Sequence, residues 1–490
     1  MRTTSILKEP VYFERIALAV LLITFFGFFS VKVWDIDFWW HIAAGRNILE
    51  TGQVPSVDPF GVYDAANVWG QTILKSQWLG QVSLYSIYRW FDLDGIILFR
   101  AALLTLCLAM VYWRCRLAHS NNLFSFAMTA LAGLSILLHS GERPQLFSFI
   151  YLSLIFLLFD SFIRSGKRWQ LFCIPLVMLL WSNTHGGAVL GMLMLGLVGT
   201  CYVLGKRESD GFFSSVQIKL MLLIVCLSAM ALVLTPNGFT TFQHIIALES
   251  NPIRDRTSEY ASPWSLWPLT KYYWIFLVVA LASLPGLFNK TYWQQGIVVL
   301  VIGLISLTGF RYIPFFVLIA TPYVAASLSR MLSRIKLSDV LVNLVVLVLA
   351  LAIFGYGFKQ GKVFQHGVAE HRYPAGAVDF IKSHQLSGRM FNTMNWGGYL
   401  IWNLPNTTTV FVDGRMLDPG RVAPYTNILW ATPEGLRFFE QANFDLALVP
   451  YGNAFSGERY PIVAYLLSSP EWKAVYQNSS GYLFSKIKTP

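Results

Sequence analysis

Two aspartates, Asp35 and Asp37, open the run Trp34-Asp35-Ile36-Asp37-Phe38-Trp39-Trp40-His41. On a helix, Asp37 and His41 stand four residues apart and share a face. Low-dielectric surroundings raise a carboxylate's pKa, which suits it to general-base work. The rival reading is local: Asp35 is a helix N-cap, and Asp37 and His41 form a solvated helix pair. Thr51-Gly52-Gln53-Val54-Pro55-Ser56-Val57-Asp58-Pro59-Phe60 is rich in turn formers, and Asp58 is its one candidate for chemistry. Arg143 precedes Pro144, and Arg311 stands three residues before Pro314. Proline fits the first turn of a helix, so both arginines are expected at helix N-termini. A guanidinium fork there suits a phosphate or pyrophosphate; snorkelling to the interface is the plain alternative. Glu142 is counted with them as a binding residue, most simply as Arg143's ion-pair partner. His185, in Asn183-Thr184-His185-Gly186-Gly187, suits a phosphate or a metal, or is a satisfied structural histidine. Asp35, Asp37, Asp58 and His41 together are a possible divalent-cation set, although their spacing matches no recognised metal signature.

These residues need a scaffold, and composition says what it is. Of 490 residues, 55% are hydrophobic and 13% charged, against about 25% charged in soluble domains. Mean hydropathy is +0.51. The net charge of +11 comes from basic residues clustered in short loops between apolar runs, which is a membrane pattern and argues against nucleic acid. The five cysteines lie in or beside apolar runs without a Cys-x-x-Cys pair, so no disulfide framework or zinc site is expected. Apolar runs predict about 11 transmembrane helices, at 14–33, 95–114, 122–140, 145–164, 170–184, 186–205, 217–236, 271–289, 293–310, 312–330 and 337–357. The first run follows Arg2, Lys8 and Arg15 with no small-x-small site after it, and reads as an uncleaved span.

Basic residues set the orientation. With the N-terminus in the cytoplasm, alternate loops hold Arg114 and Arg116; Arg164, Lys167 and Arg168; Lys206 and Arg207; Lys290; and Arg330, Arg334 and Lys336. The opposite side then receives the first loop 34–94, the corners at Gly141–Pro144, Asn183–Gly186 and Gly309–Tyr312, the stretch 236–270, and the tail. Trp34, Trp39 and Trp40 are expected to anchor the first loop flat on the membrane. The tail lacks a long apolar run. Thr409–Val412 and Leu446–Val449 read as strands, Pro374–Ser383 and Glu434–Ala442 as helices, and Val475–Phe484 as a hairpin around Asn478-Ser479-Ser480-Gly481. The expected domains are therefore a polytopic transmembrane domain, 1–358, and an extracytoplasmic α/β domain, 359–490. No Rossmann or P-loop pattern is present, so the tail offers no evident nucleotide site.

The motifs Asp35-x-Asp37-x-Trp39-Trp40-His41 and Thr51-Gly52-x-x-Pro55-x-x-Asp58-Pro59-Phe60 resemble the first outer loop of the GT-C superfamily of membrane glycosyltransferases. That superfamily includes protein O-mannosyltransferases and lipid A aminoarabinose transferases. The resemblance extends to Glu142-Arg143-Pro144-Gln145, Asn183-x-His185-Gly186-Gly187 and Arg311-Tyr312-Ile313-Pro314. In the tail it covers Asn395-Trp396-Gly397-Gly398-Tyr399 and Val412-Asp413-Gly414-Arg415. These motifs look specific to a bacterial subgroup whose members mostly lack an assigned substrate.

The resemblance implies a cell-inner-membrane enzyme of envelope assembly. It would take a sugar from a polyprenyl-phosphate carrier and pass it, with inversion, to an extracytoplasmic lipid, glycan or protein acceptor. Asp37 or Asp35 would be the base, and Arg143, Arg311 and His185 would stabilise the departing phosphate. The mannosyltransferases have adjacent acidic residues in this loop; the spacing Asp-Ile-Asp leaves the choice of base open. Rival classes are a lipid-linked sugar transporter or flippase, a non-catalytic membrane subunit, and a polysaccharide ligase or polymerase. The transporter reading predicts ionisable residues deep in the spans, where Asp160 and Lys219, near span ends, are the few evident.

Overall fold

The structure is a computed structural model that describes residues 9–63, 67–208, 215–243, 257–335, 337–405, 407–453 and 457–487. Arg2, Lys8, Lys336, the side chains of Lys206 and Arg207, and the stretch 244–256 lie outside the described residues. Among the described residues, eight helices are long and apolar enough to cross a membrane: Glu9–Phe29, Trp78–Leu117, Asn122–Ile136 with its continuation to His139, Gln145–Ser165, Ala188–Glu208, Ser215–Val233, Ile313–Met331 and Asp339–Lys359. Three shorter apolar helices, Trp169–Thr184, Lys271–Ser283 and Trp293–Ser306, match the remaining expected spans. The apolar runs thus mark every such helix, since only an internally hydrogen-bonded segment satisfies its backbone in lipid.

The chain divides into two compact units. The helical unit takes Met1–Lys32, Leu93–Thr235 and Thr257–Gly367; the α/β unit takes Val33–Asp92, Pro236–Arg256 and Val368–Pro490. The expected division lay at 358/359. The break falls at Gly367/Val368, and the first loop belongs with the tail up to Asp92. There the long helix Trp78–Leu117 is interrupted by φ +53° at Asp92.

The core of the α/β unit is a five-stranded sheet of β1 (Gly388–Asn392), β2 (Thr408–Val410), β3 (Leu446–Pro450), β4 (Trp472–Gln477) and β5 (Gly481–Lys486), in the order β2-β1-β3-β5-β4. β1 is parallel to β2 and β3, whereas β5 is antiparallel to β3 and β4. The expected hairpin is β4–β5, turned where Asn478 Oδ1 accepts from the Ser480 N–H at 2.9 Å. β1 and the Met394–Asn403 helix were not anticipated, because Gly388, Gly397 and Gly398 interrupt any strand or helix pattern there. Ala43, Val62, Tyr63 and Leu74 of the first loop are buried in the same apolar core as β1, β2 and β3.

Two buried arginines correct the reading of the spans. Arg114, expected in a loop, lies inside the Trp78–Leu117 helix and is fully buried. Its Nε donates to Asp160 Oδ2 at 2.7 Å, and its Nη1 donates to the Leu318 carbonyl at 2.7 Å. Pro322, inside the Ile313–Met331 helix, has no N–H for the carbonyl four residues back, which is Leu318. Arg114 supplies the missing donor. Arg100, also fully buried, donates from Nε to the Phe29 carbonyl at 2.9 Å and pairs with Glu142. It thereby satisfies one of the open carbonyls that end the Glu9–Phe29 helix.

An unmet buried carbonyl costs about 1–3 kcal/mol. An Arg114→Met/Asp160→Leu variant, which removes both charges together, should melt below the wild type in detergent. Adding Pro322→Ala, which restores the helical N–H, should recover part of the loss; an absence of recovery would show that Leu318 is not what Arg114 serves.

Candidate functional site

The candidate residues form two clusters, one within each unit. In the α/β unit, the Phe38–Thr51 helix presents the first. Its N-cap is Asp37, not Asp35 as expected. Asp35 is buried, and its Oδ1 accepts from the Asp37 N–H at 2.9 Å, so its side chain shapes the turn into the helix. The Tyr373 hydroxyl donates to the Asp35 carbonyl at 2.9 Å. Asp37 is half-buried, and its Oδ1 accepts from Trp40 Nε1 at 2.9 Å. His41 is buried with its ring 3.5 Å from that of Trp40, so it is not the solvated partner of Asp37 that helical spacing suggested. Trp39 and Trp40 are buried as well, and Trp39 meets Tyr373 and Tyr399 edge-on at 5.7 and 5.1 Å. They pack the core of their own unit, which corrects the expected flat membrane anchor.

Glycines from the tail make room for this helix. A Cβ on Gly398 would stand 3.1 Å from Trp40 Cδ1 and 3.3 Å from the Ile36 carbonyl, and one on Gly414 would fall on Asp37 Oδ1. The tail motif and the loop motif are therefore two faces of one packing contact. Its lock is Arg415. Arg415 Nη1 donates to Asp58 Oδ1 at 2.6 Å, Nε to Asp413 Oδ1 at 2.9 Å and Nη2 to Asp413 Oδ2 at 2.7 Å. Asp58 also accepts from the Val62 and Tyr63 N–H groups at 2.9 and 3.0 Å. The Tyr63 hydroxyl accepts from the Asp413 N–H at 2.9 Å. Burial, reinforced by Asp413, raises its pKa well above the usual phenol value. Asp58 thus holds the turn at Val62 and Tyr63 to Arg415. Among the described residues, no three His, Cys, Asp or Glu side chains gather, so the set Asp35, Asp37, Asp58 and His41 is not assembled around a cation.

The second cluster lies in the helical unit. Arg143, at the start of the Gln145–Ser165 helix, pairs with Glu259 and donates to Gln145 Oε1 at 3.1 Å. Glu142, the partner expected from adjacency, is instead held by Arg100. Arg311 donates to the Tyr260 hydroxyl, with its guanidinium 4.8 Å from that ring's centre. Glu259 and Tyr260 share one 3-10 turn, Ser258–Tyr260, tied to the Arg311 segment by the Phe310 N–H donating to the Ala261 carbonyl at 2.8 Å. Burial disfavours the Glu259 charge, but Arg143 and then Arg311 overcome it and hold the carboxyl at about 2.

His185 ends the Trp169–Thr184 helix in extended backbone. The Gly187 N–H donates to its Nδ1 at 3.0 Å, and Ser148 Oγ lies 2.7 Å from the same atom. Trp181 Nε1 donates to Ser148 Oγ at 2.8 Å. Nδ1 is thereby an acceptor, so the neutral ring carries its proton on Nε2. Burial, aided by Arg311, lowers the His185 pKa to about 3, so the ring is neutral at ordinary pH. Two guanidiniums, one carboxylate and a neutral imidazole leave one positive charge, which suits an anion.

Sequence reasoning missed Glu259, Tyr260 and Ser148 because they sit in no motif. Arg415 was quoted only as part of a motif, without a role.

No family model matches the chain, and no curated protein matches it in sequence. Solved structures do match in fold. An ArnT structure from Cupriavidus metallidurans bound to undecaprenyl phosphate aligns over 97% of this chain and 98% of its own, with a TM-score of 0.54 and 13% identity. The archaeal oligosaccharyltransferase AglB from Archaeoglobus fulgidus, in complex with an inhibitory peptide and a dolichol-phosphate, aligns over 90% of this chain and 69% of its own, with a TM-score of 0.56 and 10% identity. The chain is a multi-pass membrane protein that shares the fold of these structures.

Two predictions follow from the geometry. Gly414→Ala should displace Asp37 and reduce activity by about tenfold or more while the melting temperature changes little; full activity would remove Asp37 from consideration. The second concerns pH. An unfolded histidine takes up a proton near pH 6.5, whereas folded His185 resists it until about 3. Stability should therefore fall as pH drops through that window. Glu259, with its folded value near 2, adds a loss in the same direction only below about 4.5. Between pH 6.5 and 4.5, His185→Asn should flatten the slope of melting temperature against pH; an unchanged slope would contradict the neutral assignment.

Proposed function

We propose that this protein is a membrane glycosyltransferase that moves a sugar from a polyprenyl-phosphate carrier to an extracytoplasmic acceptor. The observation that carries the reading is the end-to-end correspondence with the ArnT structure bound to undecaprenyl phosphate, 97% of one chain against 98% of the other. The anion-suited cluster of Arg143, Arg311 and His185 supports it. In this reading the N-terminus is cytoplasmic and the α/β unit lies on the opposite face, as the placement of the basic loops favours.

Asp37 is the preferred base. It is half-buried where Asp35 is buried, and Trp40 fixes the direction of its Oδ1. Asp35 holds the Asp37 N–H and is a positioning residue. The Asp37 carboxylate takes the acceptor's proton as the acceptor oxygen bonds to the anomeric carbon. The bond from that carbon to the phosphate oxygen breaks on the opposite face, which inverts the centre. The electron pair leaves with the phosphate, an anion of the kind that the cluster of Arg143, Arg311 and His185 suits.

A transporter reading gains from the buried charges of Arg100 and Arg114, which the sequence did not reveal as interior. Yet both are occupied with main-chain carbonyls and carboxylates of their own unit. Movement of a lipid-linked sugar in proteoliposomes without acceptor would favour transport.

Transfer measured in membranes tests the roles. Asp37→Asn should lose about two to four orders of magnitude in rate. Asp35→Asn should lose less and keep the same donor KM. Full activity in both variants would end the assignment of the base to this loop.

A further inference from the structure

Glu259 is the one charged group of the arginine cluster for which the transfer chemistry has no use. A carboxylate beside a phosphate site is unfavourable unless it does something else. We propose that Glu259 is a built-in competitor for the phosphate position: it occupies Arg143 when no carrier is bound, and it weakens the hold on the carrier once the sugar has left. This inference rests on the transferase reading above.

The geometry suits exchange. The Arg143 and Glu259 side chains are 23% and 22% exposed, so the pair is wet enough to open without stranding a dry charge. Arg143 keeps its bond to Gln145 Oε1 when Glu259 lets go, so the fork stays aimed. Arg311 is held separately by the hydroxyl and ring of Tyr260. The fully buried Arg100–Glu142 pair of the same unit lacks that exposure, and its arginine serves the Phe29 carbonyl.

Charge gives the exchange a direction. A sugar-bearing carrier is a phosphodiester with a single negative charge. The spent carrier is a phosphomonoester, with about −1.5 to −2 at neutral pH. With Glu259 ionised the cluster has one positive charge, which balances the diester and leaves the monoester in excess of it. Without the Glu259 charge, the cluster would balance the monoester and trap it. Glu259 therefore favours loaded over spent carrier and promotes release.

The test is binding of undecaprenyl phosphate to the full chain in nanodiscs, followed by native mass spectrometry. Glu259→Gln should bind about tenfold more tightly than the wild type, whereas Arg143→Gln should bind more weakly. In turnover, Glu259→Gln should show stronger inhibition by added undecaprenyl phosphate. Should Glu259→Gln unfold, Glu259→Ala with added acetate gives the same answer: acetate should depress binding in that variant and leave the wild type unaffected. Unchanged or weaker binding in folded Glu259→Gln, or indifference of Glu259→Ala to acetate, overturns the competitor role. The transferase reading survives that result if Arg143→Gln still loses affinity. If Arg143→Gln binds like the wild type, the phosphate assignment itself falls, and this inference with it.

Discussion

The guanidinium of Arg415 is the fixed point of the α/β unit. It reaches Asp58, in the first loop and 357 positions earlier, and Asp413 beside it in the tail. Two carboxylates on one guanidinium leave an excess negative charge in a buried place, which is tolerable only if other donors meet it. The N–H groups of Val62, Tyr63 and Arg415 do so, at 2.9, 3.0 and 2.8 Å. Removing one member of such a set strands a buried charge at a cost of about 3–5 kcal/mol. Gly414 is held between Asp413 and Arg415, and its missing side chain is the space into which Asp37 fits. The position of the candidate base is thus set, through Gly414, by this ion cluster.

This dependence explains which features were legible in the sequence. The spans were, because a run of about 20 apolar residues is a local signal that lipid alone enforces. Most of the tail's regular elements were, because alternation and turn residues are local too. Partnerships across sequence distance were not. Adjacency suggested Arg143 for Glu142, but the partner is Arg100, 42 positions earlier. Arg114 looked like a loop residue because it neighbours Arg116. Nothing near it signals that a carbonyl 204 residues away lacks a donor. Trp39 and Trp40 followed the rule that tryptophan marks an interface, but both are buried within their own unit.

The candidate chemistry was legible by type and only in part by geometry. Asp35 and Asp37 stood out as two carboxylates directly after a first span, although a helix cap and a solvated pair were open to them too. Their division of labour rests on burial and one indole hydrogen bond, which no spacing rule encodes. His185 stood out as a polar residue between apolar runs. Its neutrality depends on Trp181, Ser148 and Gly187 directing donors at Nδ1, which is a property of folded geometry.

Three arginines of the helical unit show how structure separates two kinds of charge that sequence presents alike. Arg100 faces a carboxylate and main-chain carbonyls with no exposed side-chain surface on either partner, so its bonds are permanent parts of the fold. Arg143 faces a carboxylate with nearly a quarter of each side chain in contact with solvent. Arg311 is matched by a phenol, a partner that contributes a dipole and a ring but no neutralising charge. An arginine placed against the usual charge bias needs a reason. For Arg100 the reason is a helix terminus. Arg143 and Arg311 together exceed the one carboxylate of their cluster by a single positive charge, which is the condition a site must meet to bind and release an anion.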